Sequence, residues 1–223
     1  MRTAFGFRAA RAATKEANPG GSVRRVLKRG GTALVAASLL LVLAWSAMGC
    51  EAEVGPTKEM LIDEPLASAA VTEVRLVMGA GKLSLSPGAE GLVAGTVTYN
   101  VEDWKPKIDR RDDRVVIRQG STKEPMGDGI VNEWDLELGR APMRLAIEAG
   151  AYQGVLDLSG LSLQELDIED GVAQNQTVFN AVNPSQMERL RYRTGASAVS
   201  LSGLANANFA EMEFTGEAGS YSF

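Results

Sequence analysis

The sequence contains no histidine and a single cysteine, Cys50, among 223 residues. Without histidine there is no Ser-His-Asp or Cys-His nucleophile system and no histidine-ligated zinc site. With one cysteine there is no intrachain disulfide, so the fold must rest on apolar burial and backbone hydrogen bonds. Aromatic residues make up only 6% of the chain. Outside one apolar run near the N-terminus, no segment sustains the 3.6-residue period of a helix. Positive charge is scarce after residue 49: residues 50–223 hold 15 basic and 27 acidic residues, a net of −12 within a chain whose total is −5. Such a body lacks the clustered Lys and Arg that a phosphate backbone demands, so nucleic acid is not an expected partner. What is present is a hydrophobic fraction of 45%, enough for a packed core in one or two domains.

Residues 1–49 carry the opposite charge, with eight basic residues and one acid. A basic head before an acidic body is the asymmetry of an exported protein. Arg24, Arg25, Lys28 and Arg29 precede an apolar run from Ala33 to Trp45, whose thirteen residues suit the core of a signal peptide. Ser46-Ala47-Met48-Gly49-Cys50 follows and resembles a bacterial lipobox. The resemblance implies cleavage between Gly49 and Cys50, diacylglycerol on the Cys50 thiol, and often a further palmitate-type acyl chain on the new amino terminus. Two chains suffice for stable anchoring, at roughly 0.8 kcal/mol per buried CH₂. Two alternatives stay open: residues 31–49 as an uncleaved membrane anchor, or Cys50 as a bystander after ordinary cleavage. Both leave the body outside the cytoplasm. Arg24-Arg25 is a weak twin-arginine signal, so the general and twin-arginine export routes both stand. Residues 1–21 precede any usual signal, as a flexible extension or an over-called start.

Residues 51–70 are acidic, contain proline and show no clean period, which predicts a tether over 50–70 with the folded domain spanning 71–223. From Val71 onward the chain repeats itself. Val74-x-Leu76-x-x-Gly79-Ala80 is followed by Leu145-x-Ile147-x-x-Gly150-Ala151, Leu166-x-Ile168-x-x-Gly171-Val172, Leu190-x-Tyr192-x-x-Gly195-Ala196 and Met212-x-Phe214-x-x-Glu217-Ala218. The steps between the central small residues are 71, 21, 24 and 22. Alternation on both sides of each glycine marks strands, and a recurrence of 21–24 residues marks a solenoid whose coils bury their apolar faces on one another. The expected fold is therefore all-β: a β-solenoid or β-helix-like stack after an N-terminal signal helix, with a plain antiparallel meander as the alternative. The long first step holds an insertion, residues 87–140, which reads as antiparallel strands over 92–100, 114–119 and 132–138. Asn175, Gln176, Asn180, Asn183 and Pro184 suggest a loose corner in the third copy.

The stretch LVMGAGKLSL, the NEWDLEL strand, the LAIEAGA-to-LDLSGL unit and the later GA-containing units together resemble the toast-rack domain family of bacterial envelope proteins, to which the cell-wall-active antibiotic response proteins are related. The resemblance covers roughly residues 73–223. It implies a β-rich stack, no established catalytic residues, and roles in envelope-stress sensing, adhesion or scaffolding. Tyr152 stands where a small residue is usual and Glu217 where glycine is usual, each expected to weaken the register locally. The chain also stops at Phe223 inside a strand where family members usually continue, as a truncated product would.

No constellation points to chemistry. Asp109, Asp112 and Asp113 alternate with Arg110, Arg111 and Arg114, as in a solvated turn. Asp167, Glu169 and Asp170 read as outward-facing acids, with a weak calcium site as the sharper alternative. Asp157 lacks a base partner, and Ser84, Ser86, Ser200 and Ser202 fall on the polar side of strands. Trp104 and Trp134 are core residues or ligand-stacking ones. No catalytic residue, metal or cofactor is expected. The favoured reading is a non-enzymatic lipoprotein on the extracytoplasmic face of the cell membrane, anchored through Cys50, that binds a protein or a cell-wall polymer. A structural spacer and a carbohydrate-active enzyme using paired carboxylates are the alternatives.

Overall fold

A computed structural model describes residues 54–121 and 129–223. Ten strands run through them: β1 (Val54–Glu64), β2 (Thr72–Pro87), β3 (Val93–Val101), β4 (Lys107–Arg111), β5 (Arg114–Arg118), β6 (Asn132–Leu138), β7 (Met143–Asp157), β8 (Leu163–Val178), β9 (Met187–Ser202) and β10 (Phe209–Ser222). They form one sheet in the order β1-β3-β6-β2-β7-β8-β9-β10, with β5 also beside β2 and β4 beside β5. The all-β expectation holds. Among the described residues the helical elements are two short 3-10 turns, and no helix is long and apolar enough to cross a membrane.

The long strands must bend. β7 and β8 are parallel neighbours, with Met143 beside Leu163, yet only residues 158–162 connect them. Fifteen extended residues span about 50 Å and five span about 17 Å, so a straight β7 could not be followed by a parallel neighbour at that distance. The chain therefore folds back within each strand. The burial pattern marks where: Met143, Leu145, Ile147 and Ala149 are buried before Gly150, whereas Tyr152, Gly154 and Leu156 are buried after it. The phase of alternation switches at the glycine, so a first arm and a second arm line one shared interior. β2, β8 and β9 make the same switch.

The glycines sit at this corner because the backbones meet there. A Cβ on Gly150 would lie 2.4 Å from the carbonyl oxygen of Gly79, one on Gly171 2.8 Å from that of Gly150, and one on Gly195 2.4 Å from that of Gly171. Strand pairing skips this position in each neighbouring pair. Glu217 occupies it in β10, and the pairing with β9 skips it in the same way. Before the corner, in the first arms, Val74, Leu145, Leu166, Leu190 and Met212 lie side by side in register, as do Leu76, Ile147, Ile168, Tyr192 and Phe214. Each such aliphatic side chain contributes about 1.5–3 kcal/mol when fully buried.

Three expectations need correction. Residues 54–64, within the segment expected to be a tether, form β1 and pair antiparallel with β3. Ile62 is buried in the core while Leu61 stands 77% exposed; in so charged a segment this short alternation carries little signal. The insertion is antiparallel only in part: β3 pairs antiparallel with β6 and β4 with β5, but β5 and β6 both run parallel to β2. They flank its first and second halves, forming one coil interrupted at the corner. Tyr152 does not weaken the register, since pairing runs unbroken through it on both sides. Gly81 and Ala173 flank it in register, and a Cβ on Gly154 would lie 2.7 Å from its ring, so small neighbours make room for the tyrosine.

Candidate functional site

Because each coil has two arms, the stack presents two outward faces. On the first-arm face, β8 contributes Glu165, Asp167 and Glu169, and β9 contributes Arg189, Arg191 and Arg193 opposite them. Each opposed pair is an ion pair. Arg189 Nη2 lies 2.9 Å from Glu165 Oε1. Arg191 grips Asp167 with two hydrogen bonds, one of them from Nε to Oδ1 at 3.0 Å. The hydrogen bonds from Arg191 hold the Asp167 carboxyl below the usual carboxylate range, and the same bonds push the Arg191 guanidinium up. Arg75 pairs with Glu148 and Arg114 with Glu73 on the same face.

The second-arm face is different. Lys82, Gln153, Gln174, Ala198 and Ser220 lie in one row across the strands, with Ser84, Val155, Gln176, Ser200 and Ser222 in the next. From β7 to β10 these rows line a shallow trough of about 580 Å³. Among the described residues, the side chains of Gln153, Gln174, Gln176, Ser200, Ser220 and Ser222 make no hydrogen bond within the protein. Val155, 59% exposed, adds an apolar spot among them. Donors and acceptors thus stand about 4.8 Å apart across strands and roughly 7 Å apart along them.

The amides inside the molecule are engaged. Asn175 donates to the Tyr152 hydroxyl and accepts from Thr177 Oγ1 at 3.0 Å. Asn183 donates to the carbonyl oxygens of Leu163 and Ala207 and accepts from the backbone N–H of Leu163 and Ser185. The corner expected to be loose is therefore held by buried hydrogen bonds. Gln119 accepts from the Gly79 N–H at 2.9 Å, and Asn132 donates to the Ala80 carbonyl oxygen, which closes the interrupted coil against β2. The buried Asp170 accepts from the Tyr192 hydroxyl at 2.7 Å, from Ser197 Oγ at 3.3 Å and from Thr194 Oγ1. Burial pushes the Tyr152 and Tyr192 hydroxyls above the ordinary phenol range.

These placements decide several sequence expectations. Asp167 and Glu169 point out to arginines while Asp170 points in, so the three do not converge as calcium ligands would; among the described residues no group of three acidic side chains is placed to hold a metal. Asp112 and Asp113 form the turn between β4 and β5, where Arg110 reaches Glu64 at 2.9 Å and the Pro65 carbonyl oxygen at 3.0 Å. Asp157 accepts from the Ser159 N–H at 3.0 Å, capping a turn. Trp104 and Trp134 are both buried, 3% and 1% exposed, and so belong to the core. Gly49 and Cys50, the expected cleavage and lipid-attachment residues, lie outside the described residues. The neutral trough and the arginine ladder were not singled out in the sequence. A signal for the ladder exists: Glu165-x-Asp167-x-Glu169 recurs 24 residues later as Arg189-x-Arg191-x-Arg193.

One solved structure shares this architecture. A solved structure from Clostridium sporogenes ATCC 15579, described as a candidate cell adhesion protein, is 20% identical, with a TM-score of 0.65 over 75% of this chain and 98% of that one. An adhesin candidate from Bacteroides fragilis NCTC 9343 is 8% identical over 78% of this chain and 100% of that one, with a TM-score of 0.28. No curated protein matches the sequence. The model of the N-terminal domain of toast_rack matches residues 52–202. The chain belongs to the toast-rack family, with residues 52–202, from β1 to the end of β9, matching its N-terminal domain.

Proposed function

We propose that this protein is a non-enzymatic binding module of the bacterial envelope, held on the outer face of the membrane by a lipid on Cys50, that uses the neutral second-arm trough to contact an uncharged polar polymer of the cell wall. The observation that carries the reading is the grid of Gln and Ser side chains whose hydrogen-bonding groups are unused, on a body whose β8 acids and β9 arginines pair with one another. An unpaired amide loses little in water but gains net stabilisation from a ligand that answers it, about 0.5–1.5 kcal/mol per hydrogen bond. Several such bonds in a row suit a repeating ligand. Carboxylates engaged with arginines do not form the facing pair that glycoside hydrolysis requires, which supports binding over hydrolysis. Family membership, the basic head with its lipobox-like segment, and the fold shared with a candidate adhesion protein support an envelope location.

The test uses the full chain and isolated cell-wall sacculi. The native protein should cosediment with sacculi, and Gln153→Ala, Gln174→Ala and Gln176→Ala combined should abolish this while leaving the melting curve unchanged. Equal sedimentation of both proteins, or of neither, overturns the trough reading and favours a structural spacer. The anchor is tested separately: Cys50→Ser should release the protein from membranes or leave its precursor uncleaved, and unchanged retention with normal processing would refute it.

A further inference from the structure

The structure leaves little chain between the folded domain and Cys50. β1 begins at Val54, so four chain steps separate it from Cys50, a reach of at most about 14 Å even when fully extended. Val54 pairs with Val101, where β3 runs into the turn Glu102–Trp104, and the chain continues through Lys105 into β4. The Gly120 N–H, two residues beyond the end of β5, donates to the Trp104 carbonyl oxygen at 3.5 Å and holds this turn against the β4–β5 hairpin. The start of β1, the turn and the Lys107 end of the hairpin thus belong to one end of the stack, the end joined to Cys50.

This end is basic within an acidic body. Residues 105–118 hold six of the 15 basic residues found in 50–223, against three acids, a net of +3 where the body as a whole is −12. Lys105, Lys107 and Arg118 are exposed, and among the described residues none of them makes an ion pair. Lys107 stands directly opposite Arg118 in the β4–β5 pairing. Like charges so placed destabilise a sheet, whereas β8 and β9 set acids against arginines at the same kind of position. Edge protection does not account for the cluster. Charges on a short edge strand such as β4 do discourage pairing, yet Lys105 precedes that strand and Arg118 lies on β5, inside it. Nor do the nearby acids neutralise it. Glu102 is bonded to Lys58, which leaves Asp103, in the same hollow as Lys105 and Lys107, and Asp109 against three cations.

We propose that this end of the stack lies against the membrane, with Lys105, Lys107 and Arg118 on the headgroups of anionic phospholipids. The proposal rests on the lipid on Cys50 argued above and adds how the domain stands on the bilayer. So short a connection holds the cluster at the surface at high effective concentration. Each basic side chain near an anionic surface favours the contact about fivefold. The rest of the body, net negative, is repelled from the same surface, which fixes the orientation. β7 to β10, which carry the trough, come last in the sheet order and stand away from the membrane. The two surfaces are separate, and neither requires the other.

The test reconstitutes the mature lipidated protein into vesicles of phosphatidylcholine, alone or mixed with phosphatidylglycerol. Its lysines are modified with an amine-reactive reagent and read by mass spectrometry, with Lys82 on the second arm of β2 as the internal reference. Modification of Lys105 and Lys107 should fall about fivefold or more relative to Lys82 in the anionic vesicles, and the protection should vanish in neutral vesicles and in high salt. Lys107→Glu with Arg118→Glu should expose Lys105 while the protein stays on the vesicle through its lipid. Equal modification in both vesicles, on protein that stays attached, overturns the orientation and leaves the anchor standing. Protein that carries no lipid and leaves the vesicles overturns the anchor and the orientation with it. Protection that appears in neutral vesicles and rises with protein density overturns the proposal in favour of a second copy; protection found only in envelopes that contain cell wall overturns it in favour of an acidic wall polymer. If the double variant fails to fold, the two vesicle compositions against the native protein still decide.

Discussion

The two outward faces share a backbone, a register and an interior, yet they dispose of their polar side chains in opposite ways. On the first-arm face, three acids of β8 meet three arginines of β9, and the charges answer one another. On the second-arm face, Gln153, Gln174, Gln176 and the neighbouring serines answer nothing in the protein. A sheet face closed on itself contributes modestly to stability and offers little to a ligand. A face left open contributes nothing to stability and keeps its hydrogen-bonding capacity for something outside. Stability and recognition are thus divided between the two arms.

That division can be attacked from the inside outward. Leu166→Asp removes what both faces share, because Leu166 is 1% exposed and sits between Leu145 and Leu190. An unpaired buried charge should cost more than about 3 kcal/mol and collapse both faces together; an unchanged melting curve would show that this position faces water. Asp170→Ala should cost about 2–4 kcal/mol in urea unfolding, since it leaves the Tyr192, Thr194 and Ser197 hydroxyls without their shared acceptor. Asp170→Asn, which keeps one acceptor oxygen, should cost less, and the reverse order would refute the network.

The faces themselves should respond weakly and differently. Arg191→Met should cost at most about 1 kcal/mol at neutral pH, and less in high salt. Its pH dependence has a definite sign. The Asp167 carboxyl is held below its ordinary range in the folded state by the Arg191 hydrogen bonds. Its contribution is therefore fully present above about pH 4 and is lost as pH falls through the lowered folded-state value. Native and variant stabilities should converge in acid, and a gap that widens there would contradict the pairing. The smallest effect belongs to the trough: Gln174→Ala with Gln176→Ala should leave stability within about 0.5 kcal/mol, so a larger loss in calorimetry would mean that those amides are structural after all.

Much of the fold was legible in the residues. The alternation Leu166-x-Ile168 and the glycines at 79, 150, 171 and 195 were enough to expect stacked coils, and the aligned positions are neighbours in the sheet. Why glycine recurs there is explained by the carbonyl contacts between successive glycines, which only the packed strands bring about. Less legible was the polar interior. Asn175 and Asn183 looked like loop residues because nothing local reveals that Tyr152, 23 residues away, and the backbone of Leu163, 20 residues away, would meet them. β1 was hidden for a similar reason: its partner β3 lies beyond β2, and pairing rather than propensity makes it a strand. The trough escaped notice because a Gln or Ser on an outward position looks the same whether or not a neighbour engages it.

By itself, the sequence determined which side chains turn inward and which outward, and where each strand folds back. A two-residue period and a glycine without a side chain impose these choices through local backbone geometry. Only the tertiary structure decided which outward residues meet across adjacent coils, so that one face became a closed ladder of ion pairs and the other an open grid. That outcome depends on the lateral register between strands about two dozen residues apart, and the packing of the shared core sets that register.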